Sequence, residues 1–174
     1  MSNREWVEFN IKVEGFEGTL KDIRLEEGKL YQPSAKFYED GCKCTTVCPN
    51  CIEGTKIKNG ESYKFASCGF SDEEGWRSYP INNVGRGDAP VGTIGFFQIF
   101  DGAKPIAKVK WYNGHSSNAS RYRVISLDPA YSVKSCDKNC GLGHIKYNSE
   151  VMNIPGWRNI GYDLGKVNVV IKKN

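Results

Sequence analysis

The 174-residue sequence predicts an all-β fold, a single antiparallel β-sandwich with one long loop insertion. Three observations carry that expectation. Apolar and polar residues alternate in several runs, turn dipeptides separate the runs, and no stretch of a dozen residues keeps a 3.6-residue period. From Trp6 to Val13 the odd positions Val7, Phe9, Ile11 and Val13 are apolar, and Trp6, Glu8, Asn10 and Lys12 share the other face. Side chains of a strand alternate between faces, so this run is half-buried. Ala107, Val109 and Trp111 alternate with Lys108 and Lys110 in the same way, and Val167, Val169 and Ile171 with Lys166, Asn168 and Lys172. Asn59-Gly60, Asp101-Gly102 and Asn113-Gly114 supply turn signals between such runs.

The bulk numbers agree with one sandwich domain over residues 1–174. Hydrophobic residues make up 39% and charged residues 25%, a globular balance. The net charge of +4 is spread along the chain, and its longest basic cluster is Lys172-Lys173. That excludes a nucleic-acid-binding arm and leaves a mild bias toward anionic surfaces. The start, Met-Ser-Asn-Arg-Glu-Trp, lacks the apolar run of a signal peptide, and no window approaches the roughly 18 apolar residues of a transmembrane helix. The expectation is a protein made in soluble form without a signal peptide, then released or secreted by a non-classical route, and acting at target-cell membranes.

Two segments break the alternation. Gly69 to Val91 has no period and is too long for a hairpin, which marks a functional or mobile loop. Asp128 to Trp157, with Cys136, Cys140 and Pro155, receives no assignment.

The seven cysteines concentrate in one place. Cys42, Cys44, Cys48 and Cys51 form a C-x-C-x3-C-x2-C loop within residues 42–51. Four thiolates so close suit a tetrahedral Zn site, although the usual spacing has a longer gap between two pairs. Disulfides that also involve Cys136 and Cys140 are placed slightly ahead, since a released protein meets oxygen. Either role is structural, and no other cofactor is expected. Cys68 reads as a buried core thiol. With two histidines, His115 and His144, and no H-E-x-x-H, G-x-S-x-G or P-loop pattern, the chain is not read as an enzyme.

Several phrases in order resemble the aegerolysin family: "EWVEFNI" at the start, "GKLY" (Gly28 to Tyr31), "SCGFSD" (Ser67 to Asp72), "GTIGFFQIFDG" (Gly92 to Gly102), "VKWYNGHSSNASRYRV" and the closing "DLGKVNVVIKKN". The resemblance implies a β-sandwich of the aegerolysin/actinoporin-like type that binds sphingolipids or related membrane components. It also implies a larger pore-forming partner of the membrane-attack-complex/perforin class, and some bacterial pairs of this kind are insecticidal. The chain departs from the lipid-reading fungal members at Glu27, where they carry a tryptophan, at Val91, where they carry an acid, and at His115 and Asn118. A different sphingolipid, a glycolipid or a protein receptor therefore stays open as the target.

The candidate lipid- or receptor-binding residues are Trp6, Trp76, Arg77, Tyr79, Tyr112 and His115. Trp6 sits on the polar phase of its strand, where an indole suits a lipid interface, unless a neighbouring segment covers it. Trp76, Arg77 and Tyr79 occupy the long loop, where they could enter a headgroup layer or fold over a sheet edge. Tyr112 and His115 flank a loop rich in Asn and Ser, whereas Trp111 is in phase with the core. The first reading is the lipid-binding component of a two-component pore-forming toxin. A lectin-like glycan-binding module, with Tyr112, Asn113 and Asn118 on the sugar, is the alternative. A rigid surface protein with no lipid affinity is the third.

Overall fold

The computed structural model describes residues 6–31, 46–47, 52–68, 92–113, 120–136, 146–147, 158–161 and 164–174. These residues form two packed sheets. The seven-stranded sheet contains β1 (Trp6–Glu14), β3 (Lys29–Tyr31), β4 (Thr46–Val47), β6 (Ser62–Cys68), β10 (Tyr131–Cys136), β11 (Lys146–Tyr147) and β13 (Gly165–Lys173), in the order β11-β10-β13-β1-β6-β3-β4. The six-stranded sheet contains β2 (Gly18–Glu27), β5 (Thr55–Ile57), β7 (Thr93–Asp101), β8 (Lys104–Asn113), β9 (Ser120–Ser126) and β12 (Arg158–Gly161), in the order β12-β9-β8-β7-β2-β5. The expected sandwich is present, with one qualification: β1 and β13 run parallel, Val7 opposite Gly165 through to Glu14 opposite Lys172. The two strands lie at opposite ends of the sequence, so the whole intervening chain serves as the crossover that a parallel pair needs.

The inward faces are those set by the alternation. Val7, Phe9, Ile11 and Val13 of β1 meet Val167, Val169 and Ile171 of β13, all fully buried. At the centre Phe9 and Phe65 from one sheet interlock with Phe97 and Trp111 from the other. Ring centroids are 5.2 Å apart for Phe9–Trp111, 5.5 Å for Phe9–Phe97 and 5.2 Å for Phe65–Phe97. Tilted and edge-on rings at such spacings add a specific term to the area that they bury. Gly95 lies opposite Trp111 in the register of β7 and β8. A Cβ at position 95 would stand 2.5 Å from the Arg24 carbonyl oxygen and 2.6 Å from Trp111 Cζ2, so the indole occupies the volume that a side chain would claim.

Two strands hide their period from a reader of the sequence. In β2 the buried residues are Leu20, Ile23 and Leu25, because the register slips between Lys21 and Arg24. Asp22 there adopts a φ of 54°, a left-handed conformation that Asp tolerates. The carboxylate of Glu53 accepts hydrogen bonds from the N–H groups of Asp22 (2.6 Å) and Ile23 (3.2 Å), which serves the bulge. In the unassigned stretch from Asp128, β10 buries Tyr131, Val133 and Ser135. A buried serine at an inward position blurs the alternation; its Oγ accepts from Tyr122 Oη at 3.4 Å.

A polar clasp ties the sheets together at the end where β7 turns into β8 through Gly102 (φ 59°). Tyr131 Oη and Lys173 Nζ of the seven-stranded sheet both donate to Asp101 Oδ2 of the six-stranded sheet. Lys104 pairs with Asp128, whose Oδ1 accepts the N–H of Ala130 at 2.8 Å. The Tyr131 hydrogen bond, helped by Lys173, lowers the Asp101 pKa, and Lys104 lowers that of Asp128.

Two outcomes are expected. Gly95→Ala should lower thermal stability by about 1–3 kcal/mol or more, through overpacking against Trp111 and backbone, as followed by calorimetry. For the clasp, carboxylates with depressed folded pKa values stabilise above their unfolded value of about 3.9, and that stability is lost as pH falls through the folded value. Asp101→Asn should therefore reduce stability at neutral pH and flatten the loss of stability in acid; equal acid sensitivity of both proteins would remove the clasp from the account.

Candidate functional site

The strand directions collect most of the chain's connections at the end opposite the clasp. There β1 begins at Trp6, β2 ends at Glu27, β3 begins at Lys29, β6 ends at Cys68, β7 begins at Thr93, β8 ends at Asn113 and β9 begins at Ser120. Registers align these ends: Trp6 with Cys68, Cys68 with Lys29, Glu27 with Ile94, Ile94 with Tyr112, and Tyr112 with Arg121.

Beneath this end lies a buried hydrogen-bond knot. Thr93 Oγ1 accepts from the Trp111 indole N–H at 2.9 Å and lies 2.5 Å from Ser67 Oγ. Trp111 belongs to the six-stranded sheet and Ser67 to the seven-stranded one, so one threonine bridges the layers. All three are fully buried, where an unmet donor would cost about 1–3 kcal/mol. Gly28 packs over the same threonine. Its φ is 102°, and a Cβ there would stand 2.9 Å from both Thr93 Cβ and Oγ1. The two glycine phrases read from the sequence, Gly28-Lys29 and Gly92-Thr93, thus meet at this point. Their residues build the floor of the end and leave the surface to others.

Of the expected site residues, Trp6 takes the first position of β1, opposite Cys68. Tyr112 is half-buried near the end of β8, and the guanidinium of Arg121 lies over its ring at 5.0 Å from the centroid. Trp6 and Tyr112 share an end of the sandwich but belong to different sheets, which pack about 10 Å apart. Trp76, Arg77, Tyr79 and His115 lie outside the described residues. The strand ends that flank their segments, Cys68 and Thr93 for the first three and Asn113 and Ser120 for His115, are at this same end. Cys42, Cys44, Cys48, Cys51 and Cys140 also lie outside the described residues, as does the side chain of Cys68. Cys136 is buried at the end of β10. Trp111, assigned to the core by its phase, is fully buried.

Sequence reading missed Glu8. The alternation puts it on the polar phase with Asn10 and Lys12, yet Glu8 is only 5% exposed and its buried Oε2 has no hydrogen-bond partner among the described residues. Burial raises its pKa, against the opposing pull of Lys166 and Lys64. Ala66, its register partner on β6, is fully buried beside it. Nothing local in the sequence signals this, because the cover over an outward strand position is a tertiary property.

Residues 73–153 match the aegerolysin family model. That segment is similar to the aegerolysin family, which the phrases in the sequence also resemble. No curated protein sequence matches the chain. The fold is similar to that of the crystal structure of IP-1A from Alcaligenes faecalis, with a TM-score of 0.67 at 22% identity over 98% of this chain and 91% of that one. It is also similar to the RahU protein solved in complex with a TRIS molecule, with a TM-score of 0.65 at 17% identity over 98% and 96% of the two chains. At these identities the likeness concerns the fold, and the two-sheet architecture extends well beyond the matched segment. Among the described residues no group of three or more His, Cys, Asp or Glu is placed to hold a metal ion.

Glu8 gives this site a measurable signature. A folded pKa raised above the unfolded value of about 4.3 means that stability falls as pH rises between the two. Glu8→Gln should therefore be more stable than wild type at neutral pH, with the difference vanishing below about pH 4. Denaturant titrations across pH would read this. A less stable variant at neutral pH would mean that attraction to Lys166 and Lys64 outweighs burial.

Proposed function

We propose that this protein is an aegerolysin-type, lipid- or receptor-reading component of a two-component pore-forming system, and that it reads the target through the loop-bearing end of its sandwich. The observation that carries the reading is the convergence of strand ends. Trp6, Tyr112 and the ends flanking the segments with Trp76, Arg77, Tyr79 and His115 all lie at one end, over a floor fixed by Thr93. The match of residues 73–153 to the aegerolysin family model supports lipid binding, and an indole at the margin of a rigid sheet suits a membrane interface, where its ring and its N–H both find partners.

Sphingolipid headgroups are the target class that this reading favours. A larger partner of the membrane-attack-complex/perforin class would supply the membrane-crossing part, since this chain offers a compact recognition domain. In this scheme the protein is released from the producing cell and acts at the target-cell surface, with insecticidal activity as one use of such a pair. No catalytic step is needed for this role.

Co-sedimentation with liposomes tests it, using sphingomyelin with cholesterol in one set and ceramide phosphoethanolamine in another. Wild type should bind at least one mixture, and Trp6→Ala should weaken that binding about tenfold or more, the loss typical of a buried aromatic anchor. Absence of binding to every mixture would reject direct lipid recognition. Inhibition by a free sugar, with no retention on glycan-free liposomes, would replace it with the lectin-like alternative.

A further inference from the structure

The outer face of the six-stranded sheet carries a second pattern that the loop-end site does not use. Reading the register across β2, β7, β8 and β9, one row holds Lys21, Gln98, Lys108 and Ile125. The next holds Arg24, Phe96, Lys110 and Arg123, and the row nearest the loop-bearing end holds Glu27, Ile94, Tyr112 and Arg121. All these positions are exposed or half-buried, and they point away from the core residues with which they alternate. Strands lie about 4.8 Å apart, so the middle row sets three cations within about 14 Å.

Three of these cations are held over rings of the same face. Lys108 Nζ lies 4.4 Å from the Phe96 centroid, Lys21 Nζ 5.0 Å from that of Phe100, and the Arg121 guanidinium 5.0 Å from that of Tyr112. Such contacts order long side chains without neutralising them. Among the described residues, no carboxylate pairs with Lys21, Lys108, Lys110 or Arg123. On the outer face of the other sheet, Lys166 and Lys64 act on Glu8, and Lys12 pairs with Glu14 at 3.5 Å.

We propose that this basic, aromatic-studded sheet face docks on an anionic phospholipid surface. Three features favour a bilayer over a linear polyanion. The cations spread in two directions and do not line a groove. Apolar Ile94, Phe96 and Ile125 are interleaved with them, which matches the mixed chemistry of a headgroup layer. The ring faces are covered by the protein's own cations, so they are closed to the stacking that single-stranded nucleic acid uses. The row containing Tyr112 and Arg121 borders the loop-bearing end, so a tilted molecule could engage both contacts on one membrane. The proposal rests on the lipid reading above only for that orientation.

The test uses the full chain with phosphatidylcholine vesicles, with and without phosphatidylserine, and no sphingolipid in either. Wild type should bind the phosphatidylserine vesicles selectively and lose them as salt is raised. Each cation near an anionic surface contributes about a fivefold gain, so Lys110→Gln with Arg123→Gln should weaken binding about thirtyfold. Lys58→Gln with Lys172→Gln, which removes the same charge elsewhere, should change it little; near-UV circular dichroism checks that both variants fold. Equal losses in the two pairs would reduce the effect to net charge and overturn the docking face. So would equal binding to both kinds of vesicle, or retention on heparin or single-stranded DNA with none on phosphatidylserine vesicles. Trp6 is intact in every variant and the vesicles lack sphingolipid, so failure here leaves the loop-end reading standing, and failure there leaves this one.

Discussion

Trp111 can lie across the floor of the loop-bearing end because position 95 carries no side chain. The indole fills that gap, which aims its N–H at Thr93, and Thr93 in turn reaches Ser67 on the opposite sheet. One void, one indole and one hydroxyl thus fix the separation and alignment of the two layers where most of the connections emerge. The aromatic interlock of Phe9, Phe65 and Phe97 packs against the same indole system, so core packing and the buried polar knot constrain each other. Close-packed interiors leave little freedom to relax such an arrangement, so its geometry is carried to the surface above it.

The two ends of the sandwich are held by different physics. At the clasp end, Asp101, Tyr131, Lys173, Lys104 and Asp128 join the sheets through charged, partly solvated groups, and the connections there are short turns. At the loop-bearing end the join is buried and hydroxyl-based, through Ser67, Thr93 and Trp111. Glu8 belongs to this end as well. A carboxylate held 5% exposed beside the first turn-in of β1 is a costly feature for a surface that needed only to be soluble.

The outward face of the six-stranded sheet adds a second kind of chemistry to this frame. Lys21, Lys108 and Arg121 rest on aromatic rings, and among the described residues no carboxylate pairs with Lys21, Lys108, Lys110 or Arg123. A loop end that reads a headgroup and a sheet face that senses surface charge would divide specificity from attraction. Long-range charge speeds encounter, while short-range contacts choose the ligand.

The sequence by itself determined the fold class and the inward faces of β1, β8 and β13, because a two-residue period ties burial directly to residue type. It also assigned Trp111 to the core, and its phrases resemble the family whose model matches residues 73–153. Tertiary structure decided the rest. The parallel pairing of β1 with β13 joins residues far apart in the chain, and no local pattern encodes which strands become neighbours. Strand β2 was hidden because the bulge at Asp22 resets its phase, and β10 because Ser135 is buried through a partner on another strand. Trp6 and Tyr112 were legible as candidates, but their common end and separate sheets follow from register alone. The burial of Glu8 and the cationic rows across four strands are likewise products of assembly: each residue looks like an ordinary exposed polar position until neighbouring strands set what stands beside it.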